Sequence, residues 1–367
     1  MKFTCDKNAI LREIAIAQDI ISSRNVLSIL SNVLIEAAND TLYIKATDLK
    51  VGFETKIPVQ VQEPGSTTVF CEKYVSILRA LPDGEVEFEQ QDSRLIIRPV
   101  GKKIDFQLKS ITAEKFPELQ NVSEDKFFSL AQKDLIEMIS QTIFAVSDDE
   151  TRYFMNGVYL EKKEDGLIMV ATDGRRLSFI QKPYERGVPD FDPVIIPPKV
   201  LNIVRKLISG EGNIDIAVSD KYIFFRFEGQ SIFSNLIEGQ FPNYQRVIPD
   251  TQENTIRVNR KDFMEALKRV SLLVEQKSRR IYLSVNGDVL MLKSEESDIG
   301  IAKEEVVCDF SGPETNIALN YVYLEEPLKV IDEDTIAIQF TEPTKAITLV
   351  SEPNKDYLHI VMPMQID

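Results

Sequence analysis

The sequence predicts an α+β chain made of three copies of one β-α-β-β-β-α-β-β-β unit, and three observations carry that reading. A turn motif recurs: Val170-Ala171-Thr172-Asp173-Gly174-Arg175-Arg176-Leu177 echoes Lys45-Ala46-Thr47-Asp48-Leu49-Lys50-Val51, 125 residues earlier, with a fainter third copy near Lys293-Ser294-Glu295-Glu296. A second marker keeps the same register, because Phe116-Pro117 and Phe241-Pro242 are also 125 residues apart. Finally, one order of helical and alternating apolar patterns starts near residues 1, 125 and 255. In both clear copies of the motif an apolar run enters Ala-Thr-Asp and another leaves it. That reads as a hairpin whose turn is held by the Thr and Asp side chains.

In the first unit a short strand at residues 2–4 leads to a helix over 7–21, with Ile10, Leu11, Ile14, Ala17 and Ile21 at helical spacing and Asp6 as N-cap. Strands follow at 32–36, 41–46 and 51–57. A second helix at 73–81 stops at Pro82-Asp83-Gly84, and alternating strands at 85–89, 94–98 and 103–109 close the unit. The second unit opens at 127–130. Its helix over 132–146 places Leu135, Met138, Ile139, Ile143 and Val146 on one face. It continues with strands at 156–161, 167–171 and 176–181, a helix at 200–208, and strands at 214–218, 222–227 and 231–235. The third unit has a strand at 255–258, a helix over 261–274 with Phe263, Ala266, Leu267 and Val270 inward, and strands at 280–285, 289–293 and 300–307. A helix at 321–330, which Pro327 should kink or restart, precedes strands at 335–340, 346–350 and 357–362. These patterns set domain limits at 1–122, 123–252 and 253–367.

Composition narrows the function. A chain of 367 residues is too long for one core, and 43% hydrophobic residues with 20 Phe and 11 Tyr suffice for several. No apolar run approaches the roughly 20 residues of a membrane span, and the amino terminus lacks a signal-peptide core. Cysteines at 5, 71 and 308 are far apart with no Cys-x-x-Cys pair, which suits a reducing cytoplasm and neither a disulfide framework nor a metal site. His359 is the single histidine. It stands in an apolar run as a packed strand residue, so histidine-based triads and zinc hydrolysis are excluded, and no cofactor is expected.

Charge is segregated. The net charge of −15 opposes general nucleic-acid binding. Yet the six predicted helices, taken as 7–24, 72–81, 131–146, 198–209, 259–277 and 320–331, hold 15 Lys and Arg against 10 Asp and Glu. The rest holds 28 against 48. Basic outer helix faces suit loose phosphate contacts without base reading.

The chain resembles the bacterial sliding clamp family, the beta subunit of DNA polymerase III, over essentially its full length. Met1-Lys2-Phe3-Thr4, Arg152-Tyr153-Phe154-Met155-Asn156-Gly157, Ala171-Thr172-Asp173-Gly174, Phe241-Pro242-Asn243-Tyr244-Gln245-Arg246-Val247 and Val361-Met362-Pro363-Met364 carry the resemblance. It implies a DNA clamp fold in which two chains join head to tail and six domains close a ring on duplex DNA, helices inside and sheets outside. Twelve helices at roughly 10 Å spacing make a circle about 38 Å across between axes and leave a bore of about 28 Å, wider than duplex DNA. The implied role is processivity: the ring tethers the replicative polymerase, the clamp loader and repair polymerases by short Gln-and-Leu/Phe-type tails, and catalyses nothing.

By the same resemblance Arg24, Lys73, Tyr153, Phe154 and Lys199 would touch DNA. Met155, Thr172, Gly174, Arg175, Arg176, Leu177, Pro242, Arg246, Val247, Ala346, Val361, Met362, Pro363 and Met364 would form the peptide pocket. Leu272 and Leu273 would meet Phe106 and Leu108 across the dimer joint. Phe154 stands where the family usually has a second tyrosine, Arg175 where histidine is common and Ala346 where serine is common. Two other readings remain open at this point. Asp48, Asp173 and Asp148-Asp149-Glu150 could serve a metal-dependent phosphodiesterase, although matching hairpin positions in separate units suit turns better. A peptide scaffold that never touches DNA is the other, and the helix charge disfavours it.

Overall fold

The structure, a computed structural model, describes residues 1–21, 29–184, 187–354 and 356–365. The chain divides into two compact units. Met1–Gln132, Gly187–Pro189 and Lys199–Leu236 make the first, and Lys133–Arg186, Asp190–Pro198 and Ile237–Asp367 the second. Among the described residues each unit is built on one antiparallel sheet, of thirteen strands in the first and twelve in the second.

Six helices accompany the sheets among the described residues: α1 (Lys7–Ile20), α2 (Cys71–Ala80), α3 (Gln132–Ser140), α4 (Pro198–Leu207), α5 (Arg260–Ser271) and α6 (Tyr321–Leu328). Asp6 caps α1 as expected, its Oδ1 accepting from the N–H groups of Asn8 at 2.9 Å and Ala9 at 3.0 Å. That helix buries Ile10, Ile14, Ala17 and Ile20, while α5 buries Phe263, Ala266, Leu267 and Val270. Burying such a face, more than intrinsic propensity, holds short helices in place. Three helices end two or more residues before the sequence pattern does. In α3 the apolar periodicity runs on to Val146, but the chain leaves the α-helix at Ser140 and makes a 3-10 turn at Ile143–Ala145. Thr142 Oγ1 bonds back to the Met138 carbonyl there, at 2.7 Å. Helix α5 gives way to turns after Ser271, and α6 stops at Leu328, directly after Pro327.

Each repeat carries one strand more than the pattern predicts. Gly65–Phe70, Val194–Ile196 and Thr315–Asn320 precede the second helix of their repeats and pair with Asn32–Ala38, Val158–Lys162 and Arg280–Asn286. These segments are short, and the first and third are rich in Thr, Ser or Asn, so alternation alone did not reveal them. The first repeat adds an edge strand, Gln60–Glu63.

The repeats share sheets. The middle repeat's last strand, Gln230–Asn235, pairs with Val51–Pro58 of the first repeat. The third repeat's last strand, Tyr357–Val361, pairs in the same way with Arg176–Lys182 of the middle repeat. Two strands of these classes lack such a partner among the described residues. Phe106–Ile111, the last strand of the first repeat, is paired along Phe106–Lys109 on one side only. Lys303–Asp309 of the third repeat is likewise paired on one side along Lys303–Val307.

Candidate functional site

The two Ala-Thr-Asp turns are built identically. Asp173 Oδ1 accepts from the N–H groups of Arg175 at 2.9 Å and Arg176 at 3.1 Å, and Thr172 Oγ1 accepts from Gly174 and donates to the Arg176 carbonyl. Asp48 and Thr47 make the same bonds to Leu49, Lys50 and Val51. A carboxylate spent on turn amides is a weak start for a metal ligand set. Asp173's second oxygen is also engaged, by Arg176 Nε at 3.0 Å.

In the second unit this turn borders a cavity of about 120 Å³, lined by Met155, Thr172, Gly174, Arg175, Arg176, Leu177, Pro242, Tyr244, Val247, Ile360 and Met362. Its floor and one wall belong to an apolar cluster of Ile168, Val170, Leu177, Ile195, Phe241, Tyr244 and Ile360, with Phe154, Tyr159 and Ala346 packed against it. Pairing of Leu177 with Ile360 puts both side chains on one face, and the chain continues past the turn with Met362 N–H donating to the Arg175 carbonyl at 2.9 Å. Tyr244 forms one wall. Its ring lies beside Tyr159 and Phe179, and its hydroxyl donates to Glu161 Oε2 at 2.8 Å. Burial, reinforced by Glu161, holds the Tyr244 hydroxyl well above the usual tyrosine range. The wall is therefore neutral and fixed.

Arg176 supplies its stem to the cavity and its charge elsewhere. The guanidinium bonds Asp173, Glu326 and the Phe144 carbonyl, and lies 4.6 Å from the centre of the Tyr323 ring. Arg175 is exposed and leaves its charge at the rim. Such a cavity, apolar within and cationic at its edge, suits an apolar anchor on an extended peptide.

Nine of the fourteen residues expected in the pocket line this cavity, and five stand apart from it. Val361 is fully buried because strand alternation turns it away from the face that Ile360 and Met362 share. Ala346 lies behind the floor, its carbonyl accepting from Gln252 Nε2 at 2.8 Å. Arg246 is exposed on the 3-10 turn Tyr244–Arg246, Pro363 is half-buried, and Met364 N–H donates to the Ala318 carbonyl. Sequence reasoning missed Tyr244 and Ile360. Both sit inside or beside motifs already singled out, and their alternation with Pro242 and Met362 was the usable signal.

On the expected DNA face, Arg24 lies outside the described residues. Lys73 is exposed on α2, 3.9 Å from Glu72. Tyr153 is 54% exposed and meets half-buried Phe154 edge to face, ring centres 5.8 Å apart. Lys199 is tied within the first unit, its Nζ donating to Asp48 Oδ2 at 2.6 Å and the Ile20 carbonyl at 2.9 Å. Among the described residues the excess of basic over acidic residues narrows from five in the predicted helices to three in the observed ones, because Lys277, Lys329 and Glu275 lie past the helix ends and Arg24 lies outside the described residues. At the expected joint, Leu272 is 81% exposed, and Leu273, Phe106 and Leu108 are half-buried. His359 is buried, as expected of a strand residue. It bonds Ser178 Oγ at 2.6 Å, and burial with Arg176 nearby drives its pKa down to about 3.

Known proteins match along the whole chain. The DNA polymerase III beta subunit N-terminal domain family matches residues 1–120, the central domain family 129–243 and the C-terminal domain family 245–365. The beta sliding clamp of Treponema pallidum is 47% identical and that of Caulobacter vibrioides 30% identical, each over all of both chains. The crystal structure of the Bacillus subtilis sliding clamp superposes with a TM-score of 0.96 at 27% identity. The Pseudomonas aeruginosa clamp bound to griselimycin superposes at 0.95 and 28%, and both cover all of both chains. Three consecutive domain matches and relatives that align end to end leave one assignment: the chain belongs to the DNA polymerase III beta subunit family, the bacterial sliding clamps.

Proposed function

We propose that two copies of this chain join head to tail around duplex DNA and tether the replicative polymerase and other factors for processive synthesis. The pair of open strand edges carries this reading. Inside the chain, the last strand of one repeat pairs with the fourth strand of the repeat before it, and this happens twice. The two strands left over, Phe106–Ile111 and Lys303–Asp309, are the partners that the same rule would join between two copies. Two such identical joints close a ring, with Leu272 and Leu273 on one side and Phe106 and Leu108 on the other. The domain limits 1–122, 123–252 and 253–367 belong to this reading, as does a cytoplasmic setting. The chain itself is non-catalytic.

Lys73, Tyr153, Phe154 and Lys199, with Arg24, are the proposed DNA contacts. Few and loose contacts suit a topological link, since tight phosphate binding would oppose sliding. Partner tails would bury apolar anchors between Leu177, Ile360, Tyr244 and Met362. The test loads the protein onto nicked circular DNA with its clamp loader and raises the salt. Retention on the circle and release once the circle is linearised are expected. Equal salt-driven loss from both forms would overturn the ring.

A further inference from the structure

Each unit builds the same outer frame once, a Thr-Asp hairpin beside the last strand of the next repeat. Strand registers align the two copies. Gly52 pairs with Phe233 in the first unit as Leu177 pairs with Ile360 in the second. One ladder step further, Phe233 pairs with Phe224, and Ile360 with Thr348. Tyr222 precedes Phe224 as Ala346 precedes Thr348. The wall also has a counterpart, since Leu119 and Val122 follow Phe116-Pro117 at the spacing of Tyr244 and Val247 after Phe241-Pro242.

What differs is volume. A Cβ added to Gly52 would lie 2.1 Å from Cε1 and 2.4 Å from Cζ of Phe233, so the phenyl ring rests directly on the Gly52 backbone. Gly52 does not need a positive φ, so clearance is the reason for a glycine here. Phe233 is 6% exposed and clusters with Ala217 and Phe224, with Leu119, Val122 and Tyr222 packed against the group. Its ring meets Tyr222 edge to face at 6.1 Å. The corresponding wall and floor in the second unit are separated by the cavity.

We propose that Phe233 is a built-in plug: it fills the first unit's copy of the groove and limits each chain to a single peptide site. The side chain fills the space between hairpin and wall that stays open in the second unit. Phe224 and Tyr222 hold the ring down, where Thr348 and Ala346 leave room. The inference rests on the second unit's cavity being the peptide site.

The experiment uses the full-length dimer and a fluorescein-labelled peptide bearing a Gln and a Leu-Phe pair, read by anisotropy. Wild type should saturate at one peptide per chain; no binding at all would remove the reading of the cavity itself and leave the plug without a site to copy. V247D/M362E, at two partly exposed cavity residues, should abolish that binding. Adding F233I and F224T to this background should restore affinity by about tenfold or more over V247D/M362E. In the same V247D/M362E background Phe233→Leu alone, a conservative change that removes only part of the ring's volume, should give a smaller gain and guards against misfolding of the larger variant. No gain in either variant, with dimer mass and Tm retained, would overturn the plug.

Discussion

Lys199 carries a charge that the family resemblance assigns to DNA, yet it spends that charge on Asp48 and the Ile20 carbonyl. Burial alone would raise the Asp48 carboxyl, but Lys199 and the turn amides outweigh it and hold it below its usual value. A carboxylate with a lowered folded pKa stabilises fully above its unfolded value. That contribution is complete at neutral pH and fades as pH falls below 3.8 toward the folded value. Asp48→Asn keeps the turn's acceptor and loses the charge, so it should lower stability at pH 7 by about 1–2 kcal/mol. The deficit should shrink as acid protonates the wild-type carboxylate. Denaturant titrations at pH 7 and pH 3 check this, and an equal deficit at both would exclude the ion pair as its source. Arg176, which the resemblance places in the pocket, lines the cavity while its guanidinium is enclosed by Asp173, Glu326 and Phe144. No linear pattern announces a partner 150 residues away.

At the scale of elements, the two hairpins separate scaffold from site. Both use Thr and Asp in the same way, and that part was readable because the bonds are local in sequence. Gly174 takes φ +88° at no steric cost, whereas Leu49 takes φ +73° in the same turn and leaves its side chain 58% exposed. For a non-glycine residue this conformation costs roughly 1–2 kcal/mol. Leu49→Gly should therefore raise Tm, and Gly174→Val should lower it. Only the second should also weaken peptide binding, by about tenfold, because a Cβ there would meet Arg152 Nη1 at 2.9 Å beside the cavity. Calorimetry and a peptide titration on both variants decide it. The strands that escaped notice, such as Val194–Ile196, are held by cross-strand pairing with Val158–Leu160. Three residues carry too little period to reveal that strand.

For the whole molecule, repetition is the governing fact. Leu272, Ile299 and Val307 are each more than four-fifths exposed, and Val307 lies on the strand with the open edge. Exposed apolar side chains along an unpaired edge are an invitation to a partner strand. Leu272→Glu should weaken the dimer by at least about a hundredfold while leaving peptide binding intact. Sedimentation across a dilution series measures it, and an unchanged dimer would move the joint elsewhere.

The sequence by itself determined the repeat, the α+β class, the turn chemistry and the family, since each depends on residues close together or on motifs at constant spacing. Only the tertiary structure decided where charge is free and where it is paired, which pocket residues face the cavity, and which strands remain open. Those properties arise from the packing of segments distant in sequence. The pair of Gly52 and Phe233 makes the point: neither residue is informative alone, and their contact across 181 positions fills a groove that Leu177 and Ile360 leave open.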